Sequence, residues 1–240
     1  MKRLGILYPP TGAEFEYYQY GESLSGGTNI SLMGVRISGG DDEHAIHHLE
    51  KTAEIDNLLL SAKSMKHIRP DAAVWACTSG SFIRGAKYAE AQVSAMSKVL
   101  NCPVTSTALA FVAAIRHLDI KSVTILATYP DATSSIFRTF LEHYSIQVDE
   151  LVCMNILSGP AASLLGHQAF YDQIEKINLT NKSALLIPDT AVALMHKINA
   201  LEDLTGNVIL TANQVSLWDC ARLAGCLSNK PELGQLFKNI

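Results

Sequence analysis

Short apolar runs alternate along the chain with longer segments of helical period. Residues 3–8 (RLGILY), 29–37 (NISLMGVRI), 72–76 (AAVWA), 103–105, 122–127 (SVTILA), 146–156, 184–188 (ALLIP) and 208–210 read as strands. Residues 44–68 form a long helical segment free of Gly and Pro, and helices are predicted over 81–100, 107–118, 131–144, 171–177, 192–201 and 214–224. Near-continuous apolar strands separated by helices indicate βαβ units, hence a mainly parallel sheet covered on both faces.

The pattern repeats. RLGILYPPTGAE resembles SVTILATYPDAT, DAAVWACTSGS resembles SALLIPDTAVA, and CPVTSTALAFVAA resembles NVILTANQVSLWD. The three pairs come in the same order at similar separations, as two copies of one unit would. The expectation is an α/β protein of two similar three-layer αβα halves, residues 1–118 and 119–240, related by a pseudo-twofold axis. No Pro/Gly-rich linker separates them, so the halves should pack closely.

The remaining composition narrows the function classes. The chain has 240 residues, 48% of them hydrophobic, enough to build a core without disulfide or metal staples. A net charge of -4 and 7% aromatic content argue against nucleic-acid partners. No apolar run has the length of a membrane span, and the apolar stretch after the basic start is too short for a secretory signal. The 5 cysteines are scattered, with no zinc-like spacing, which suggests a reducing cytoplasm.

In open parallel sheets, ligands bind beyond the C-terminal strand ends. Three pairs of polar loops are expected there: Tyr8-Pro9-Pro10-Thr11-Gly12 with Tyr129-Pro130-Asp131, Cys77-Thr78-Ser79-Gly80-Ser81 with Asp189-Thr190, and Thr105-Ser106-Thr107 with Thr211-Ala212-Asn213-Gln214. If the halves face each other, one cleft receives all six loops, with Cys77 and Asp189 on opposite walls. Cys77 ends an apolar strand and opens a Thr-Ser-Gly-Ser turn into a helix, where N–H donors are expected to lower a thiol pKa. It is the candidate nucleophile or proton carrier; Cys102, Cys153, Cys220 and Cys226 read as structural. Thr78, Ser79 and Tyr129 can donate hydrogen bonds to a carboxylate or an enediolate. His44, His47 and His48 in EHAIHHLE have metal-like spacings, but no second ligand cluster accompanies them, so they read as a solvated helix face. No Walker loop or GxGxxG follows the first strand, so nucleotide and dinucleotide cofactors lack a sequence warrant.

The segments 77–85 (CTSGSFIRG) and 211–218 (TANQVSLW), with Tyr129-Pro130-Asp131, resemble a branch of the aspartate/glutamate racemase superfamily. That branch holds maleate cis-trans isomerases, arylmalonate decarboxylases and EutA-like ectoine-utilisation proteins. The resemblance implies two α/β halves, a site between them, no cofactor, a small carboxylate substrate and a homo-oligomer. It also implies a cysteine from each half. The first maps onto Cys77; the second maps onto Asp189, where the thiol is missing. Maleate isomerases carry Asn in the first loop, where this chain has Pro9, Pro10 and Thr11. The Pro-Pro pair is more like the decarboxylases, which keep the second cysteine and have Gly at the first.

These features imply a cofactor-independent isomerase or racemase of a small acid. Cys77 would add to a double bond, or would work with Asp189 on opposite faces of an α-carbon. Pro9, Pro10, Thr11, Thr78, Ser79, Tyr129, Thr190 and Asn213 would bind substrate. One alternative is a decarboxylase with Cys77 protonating an enediolate; another is a non-catalytic binding protein that kept the fold.

Overall fold

The computed structural model describes residues 1–24, 27–180 and 183–238. The first half runs β1 (Lys2–Tyr8), α1 (Phe15–Gly21), β2 (Thr28–Gly34), α2 (Ile46–Thr52), α3 (Ile55–Met65), β3 (Ala72–Trp75), α4 (Thr78–Phe82), α5 (Ala86–Leu100), β4 (Val104–Ser106) and α6 (Thr107–His117). The second runs β5 (Ser122–Ala127), α7 (Asp131–His143), β6 (Gln147–Cys153), α8 (Gly159–Ser163), α9 (His167–Ile174), β7 (Ser183–Ile187), α10 (Ile198–Thr205), β8 (Val208–Thr211) and α11 (Ala212–Ala224). The strands form two four-stranded sheets, ordered β2-β1-β3-β4 and β6-β5-β7-β8, with every pairing parallel. One topology is thus used twice, as the repeated sequence pattern requires.

Strand alternation explains the layers. Leu4, Ile6, Ala72 and Val74 point to one face of the first sheet, and Leu7, Ala73 and Trp75 to the other. The first set joins Val123, Ile125, Leu186, Leu210 and Trp218 in one apolar cluster that spans both halves. The second set packs with Leu58, Met65, Met96 and Leu100 of α3 and α5. In the other half, Leu126, Leu185 and Ile209 face outward onto Phe170, Ile174 and Leu201 of α9 and α10. Each sheet therefore has helices on both faces, and the inner layer is shared.

Helix α11 binds the halves most directly. It follows β8 of the second sheet but packs against α6, β3, β4 and β1 of the first half. Almost all of its residues are buried, the polar Asn213, Gln214, Ser216 and Asp219 among them, so the helix needs hydrogen-bond partners around its circumference. Polar side chains add specific ties across the boundary. Thr105 Oγ1 donates to Asp219 Oδ2 at 2.6 Å, Thr107 and Ser216 share a hydroxyl contact of 2.7 Å, and Tyr17 Oη donates to Asn213 Oδ1 at 2.9 Å.

Two long predicted helices divide. The 44–68 segment becomes α2, α3 and a final 3-10 turn, broken at Ala53-Glu54, where Glu54 adopts ψ 130. The 81–100 segment becomes α4 and α5, separated by Gly85 at φ 80, a left-handed-side conformation that glycine tolerates. Helix α4 also starts earlier than expected, directly after Cys77.

Candidate active site

Cys77 and Asp189 occupy matching places. Each lies two residues beyond the central strand that carries it, β3 ending at Trp75 and β7 at Ile187. Both are buried, and both line one cavity between the halves. Its volume is about 40 Å³. That is room for a few waters at most, against hundreds of Å³ for a typical ligand site.

The turn after β3 fixes the thiol. Cys77 has extended backbone (φ -148, ψ 109) and caps α4, its Sγ accepting from Gly80 N–H at 3.3 Å and lying 3.8 Å from Ser79 Oγ. Gln92 Nε2 donates to the Gly80 carbonyl at 3.1 Å, and Ala108 N–H donates to Ser81 Oγ at 3.1 Å. The five-residue helix is thereby clamped from α5 and α6. A Cβ at residue 80 would stand 2.9 Å from Trp75 Cζ2 and 3.0 Å from the thiol, so glycine is required for the thiol to sit where it does.

The helix start after Cys77 predicts a lowered thiol pKa. The structure reverses it: burial pushes Cys77 up to about 11, opposed by the Gly80 N–H and Ser79 hydroxyl, while Asp189 and Glu43 push it further up. Desolvation of the anion outweighs one N–H donor from a helix this short. At neutral pH Cys77 is a thiol, a proton donor poised beside carboxylates.

Asp189 is held through both oxygens. Thr128 Oγ1 donates to Oδ2, and Ala191 N–H donates to Oδ1 at 2.9 Å. Tyr129, the next residue along from Thr128, donates its hydroxyl to the Pro188 carbonyl. Burial holds its phenol well above the usual range, softened by the neighbouring Thr78 and Ser79 hydroxyls. Thr78 Oγ1 is buried and makes no hydrogen bond of standard geometry.

The expected residues are therefore only partly assembled. Pro9, Thr11, Cys77, Ser79, Asp189 and Thr190 line the cavity. Pro10, Thr78 and Tyr129 stand outside its lining, the last two immediately behind it. Asn213 is turned elsewhere: it accepts from Tyr17 and donates to Glu16 Oε2 at 2.8 Å and to the Thr190 carbonyl at 3.3 Å. The third pair of loops thus forms inter-half contacts instead of a cavity wall, because Thr105 and Thr107 find partners on α11.

A fourth wall comes from residues that strand-end reasoning passed over. Ile37, Ser38, Glu43 and His44 follow β2; Leu49 and Thr52 lie on α2, and Gly159 opens α8. The segment crosses from the first half to the second. His44 N–H donates to the Leu157 carbonyl at 2.9 Å, and Thr133 Oγ1 donates to the His44 carbonyl at 2.8 Å. Gly159 N–H donates to Glu43 Oε2 at 3.3 Å. The solvated-face reading of the histidines fails for His44, which is 4% exposed and precedes α2 instead of lying on it. Its ring meets Tyr129 edge-on with centroids 4.8 Å apart. His47 is exposed and His48 half-buried against Ser38; with Asp42 they bring three donor atoms within 4.8 Å of one another, an arrangement able to hold a metal ion but outside the cavity lining.

Comparison with known proteins places this architecture. The arylmalonate decarboxylase family model matches residues 44–237, and the chain belongs to that family. Among solved structures, a liganded arylmalonate decarboxylase variant, with one glycine changed to cysteine and one cysteine to serine, is 20% identical over 100% of both chains with a TM-score of 0.85. A Nocardia farcinica maleate cis-trans isomerase variant with a covalently bound succinylcysteine intermediate is 16% identical over 100% of this chain and 99% of that one, TM-score 0.89. Maleate isomerase Iso from Pseudomonas putida S16 is 15% identical over 99% and 98%, TM-score 0.86. Comparison with curated proteins gives no match. Among the described residues, no helix is long and apolar enough to cross a membrane.

Proposed function

We propose that the protein is a cofactor-independent racemase or isomerase of a small carboxylic acid, moving a proton at the carbon next to the carboxylate. The observation that carries this reading is the placement of a thiol and a carboxylate at equivalent strand ends on one cavity. One group removes the proton from one face while the other returns a proton to the opposite face. Cys77 enters as the acid, since its thiol keeps its proton to about pH 11. Asp189, fixed by Thr128 and Ala191, enters as the base. The negative charge that develops on the substrate carboxylate is met by Ser79, and by Thr78 and Tyr129 once the cavity expands around substrate.

Thiolate addition to a double bond, the route of a maleate-type isomerase, is less favoured. It asks for an anion that burial, Asp189 and Glu43 all oppose. A decarboxylase is the second reading, favoured by the family match and by a protonated Cys77 able to quench an enediolate. Against it, a malonate dianion meets two carboxyl side chains in the cavity.

Proton NMR in D2O with a panel of amino acids, hydroxy acids, substituted malonates and maleate tests the proposal. Deuterium entering the α-position without carbon loss, and loss of enantiomer interconversion in Cys77→Ser, is the expected result. A product lacking one carboxylate establishes the decarboxylase instead, and cis-to-trans conversion establishes thiol addition.

A further inference from the structure

The charges around the cavity restrict what can enter it. Among the described residues no lysine or arginine lines it; its ionisable groups are Glu43, His44, Cys77 and Asp189. Among the described lining residues, His44 is therefore the one able to carry positive charge. Its Nδ1 lies 2.9 Å from the Ile156 carbonyl. A carbonyl only accepts, so Nδ1 carries the hydrogen and Nε2 is the free nitrogen. The ring's one hydrogen bond among the described residues is at Nδ1, so Nε2 has no partner there, and the imidazolium form donates through it. Glu43 uses Oε2 on Gly159 N–H, which leaves Oε1 without a protein partner among the described residues.

From this we infer that the substrate is a small acid with one carboxylate and a hydrogen-bond donor, an ammonium or hydroxyl, on the adjacent carbon. Its carboxylate is held at His44 Nε2 and Ser79, its donor at Glu43, and dicarboxylates are rejected. The inference rests on the reading of this cavity as the catalytic site. Two carboxyl side chains face one imidazole, so a second substrate carboxylate has no counter-charge, whereas an ammonium neutralises one already present. His44 and Glu43 are adjacent and are both anchored to the 156–159 segment of the other half, so the two recognition groups are presented as one unit.

Calorimetric titration of the Cys77→Ser chain, which should no longer interconvert enantiomers, tests this with α-amino and α-hydroxy acids of two to six carbons, maleate and malonate. At least one monocarboxylate is expected to bind tenfold or more tightly than either dicarboxylate. Adding Glu43→Gln should shift that ratio toward the dicarboxylates by about tenfold, and adding His44→Gln should weaken every acid. A loss of folding affects all ligands alike and does not produce the Glu43→Gln shift. Dicarboxylates binding as tightly as the monocarboxylates, no monocarboxylate binding, or an unchanged ratio in Glu43→Gln each overturns the inference. The two conclusions fail separately. Selective binding of monocarboxylates with no α-exchange in the wild type removes the racemase reading alone, and exchange confined to dicarboxylates removes this one alone.

Discussion

The behaviour of Cys77 follows from competition between two environments. A helix start favours its thiolate, but complete burial and two nearby carboxyl groups favour the thiol, and the second influence is larger. A reaction that uses Cys77 as an acid should have a pH–rate profile flat with respect to this group from pH 7 to 9. A thiolate mechanism instead climbs about tenfold per pH unit over that range. A pH–rate series on the wild type separates them, and Cys77→Ser should lower turnover by about 100-fold or more. Glu16 shows the same desolvation effect away from the cavity. It is buried and accepts from Met195 N–H and Asn213 Nδ2, both at 2.8 Å; burial nevertheless raises its carboxyl to about 7. A raised carboxyl pKa stabilises the fold fully below the unfolded value and ceases to do so as pH climbs through the folded value. The wild type should therefore lose on the order of 2 kcal/mol between pH 4.5 and pH 8 relative to Glu16→Gln. Denaturant titrations of both at the two pH values measure it; parallel behaviour of the two proteins contradicts the assignment.

At the scale of elements, the decisive piece is α4, whose five residues are all buried and which carries the thiol. Its position depends on a missing Cβ at residue 80. Gly80→Ala must displace either the Trp75 ring or the sulfur, at a cost of about 1–3 kcal/mol in stability. Activity should fall further than that loss of stability explains, since the sulfur is one of the two groups in contact; thermal melts paired with turnover assays check this. Most elements were legible in the sequence. All eight strands fall where apolar runs predicted them, because fully buried parallel strands leave little choice of composition. Helix breaks were less legible. The break near Ala53 has no Gly or Pro to mark it, and it exists because α2 and α3 turn to cover different surfaces.

For the molecule as a whole, the repeat fixed where Cys77 and Asp189 stand relative to each other, and so the pairing that defines the cavity could be anticipated. The remainder of the site depended on contacts between halves. Thr105 and Asn213 sit at strand ends as the repeat requires, yet they are consumed by partners across the interface. His44 looked like one of three surface histidines, and only the path of its segment over Tyr129 and Ile156 buries it. Such long-range docking leaves no local periodicity to read. The shared apolar cluster and the crossing of α11 also bear on cooperativity. Unfolding should give one calorimetric transition. A fragment of residues 1–118 loses the cover α11 provides and should show no cooperative melt, whereas two resolved transitions would show that the halves fold independently.

The central claim is that Cys77 and Asp189 serve opposite faces of one carbon. The most direct test follows exchange of the α-proton in D2O for each enantiomer of a turned-over acid, in the wild type, Cys77→Ser and Asp189→Asn. The account predicts that both variants stop interconverting the enantiomers, that Cys77→Ser retains exchange of the one enantiomer Asp189 deprotonates, and that Asp189→Asn, whose remaining thiol keeps its proton, retains none. Racemisation persisting at the wild-type rate in either variant, or both variants exchanging the same enantiomer, would contradict it.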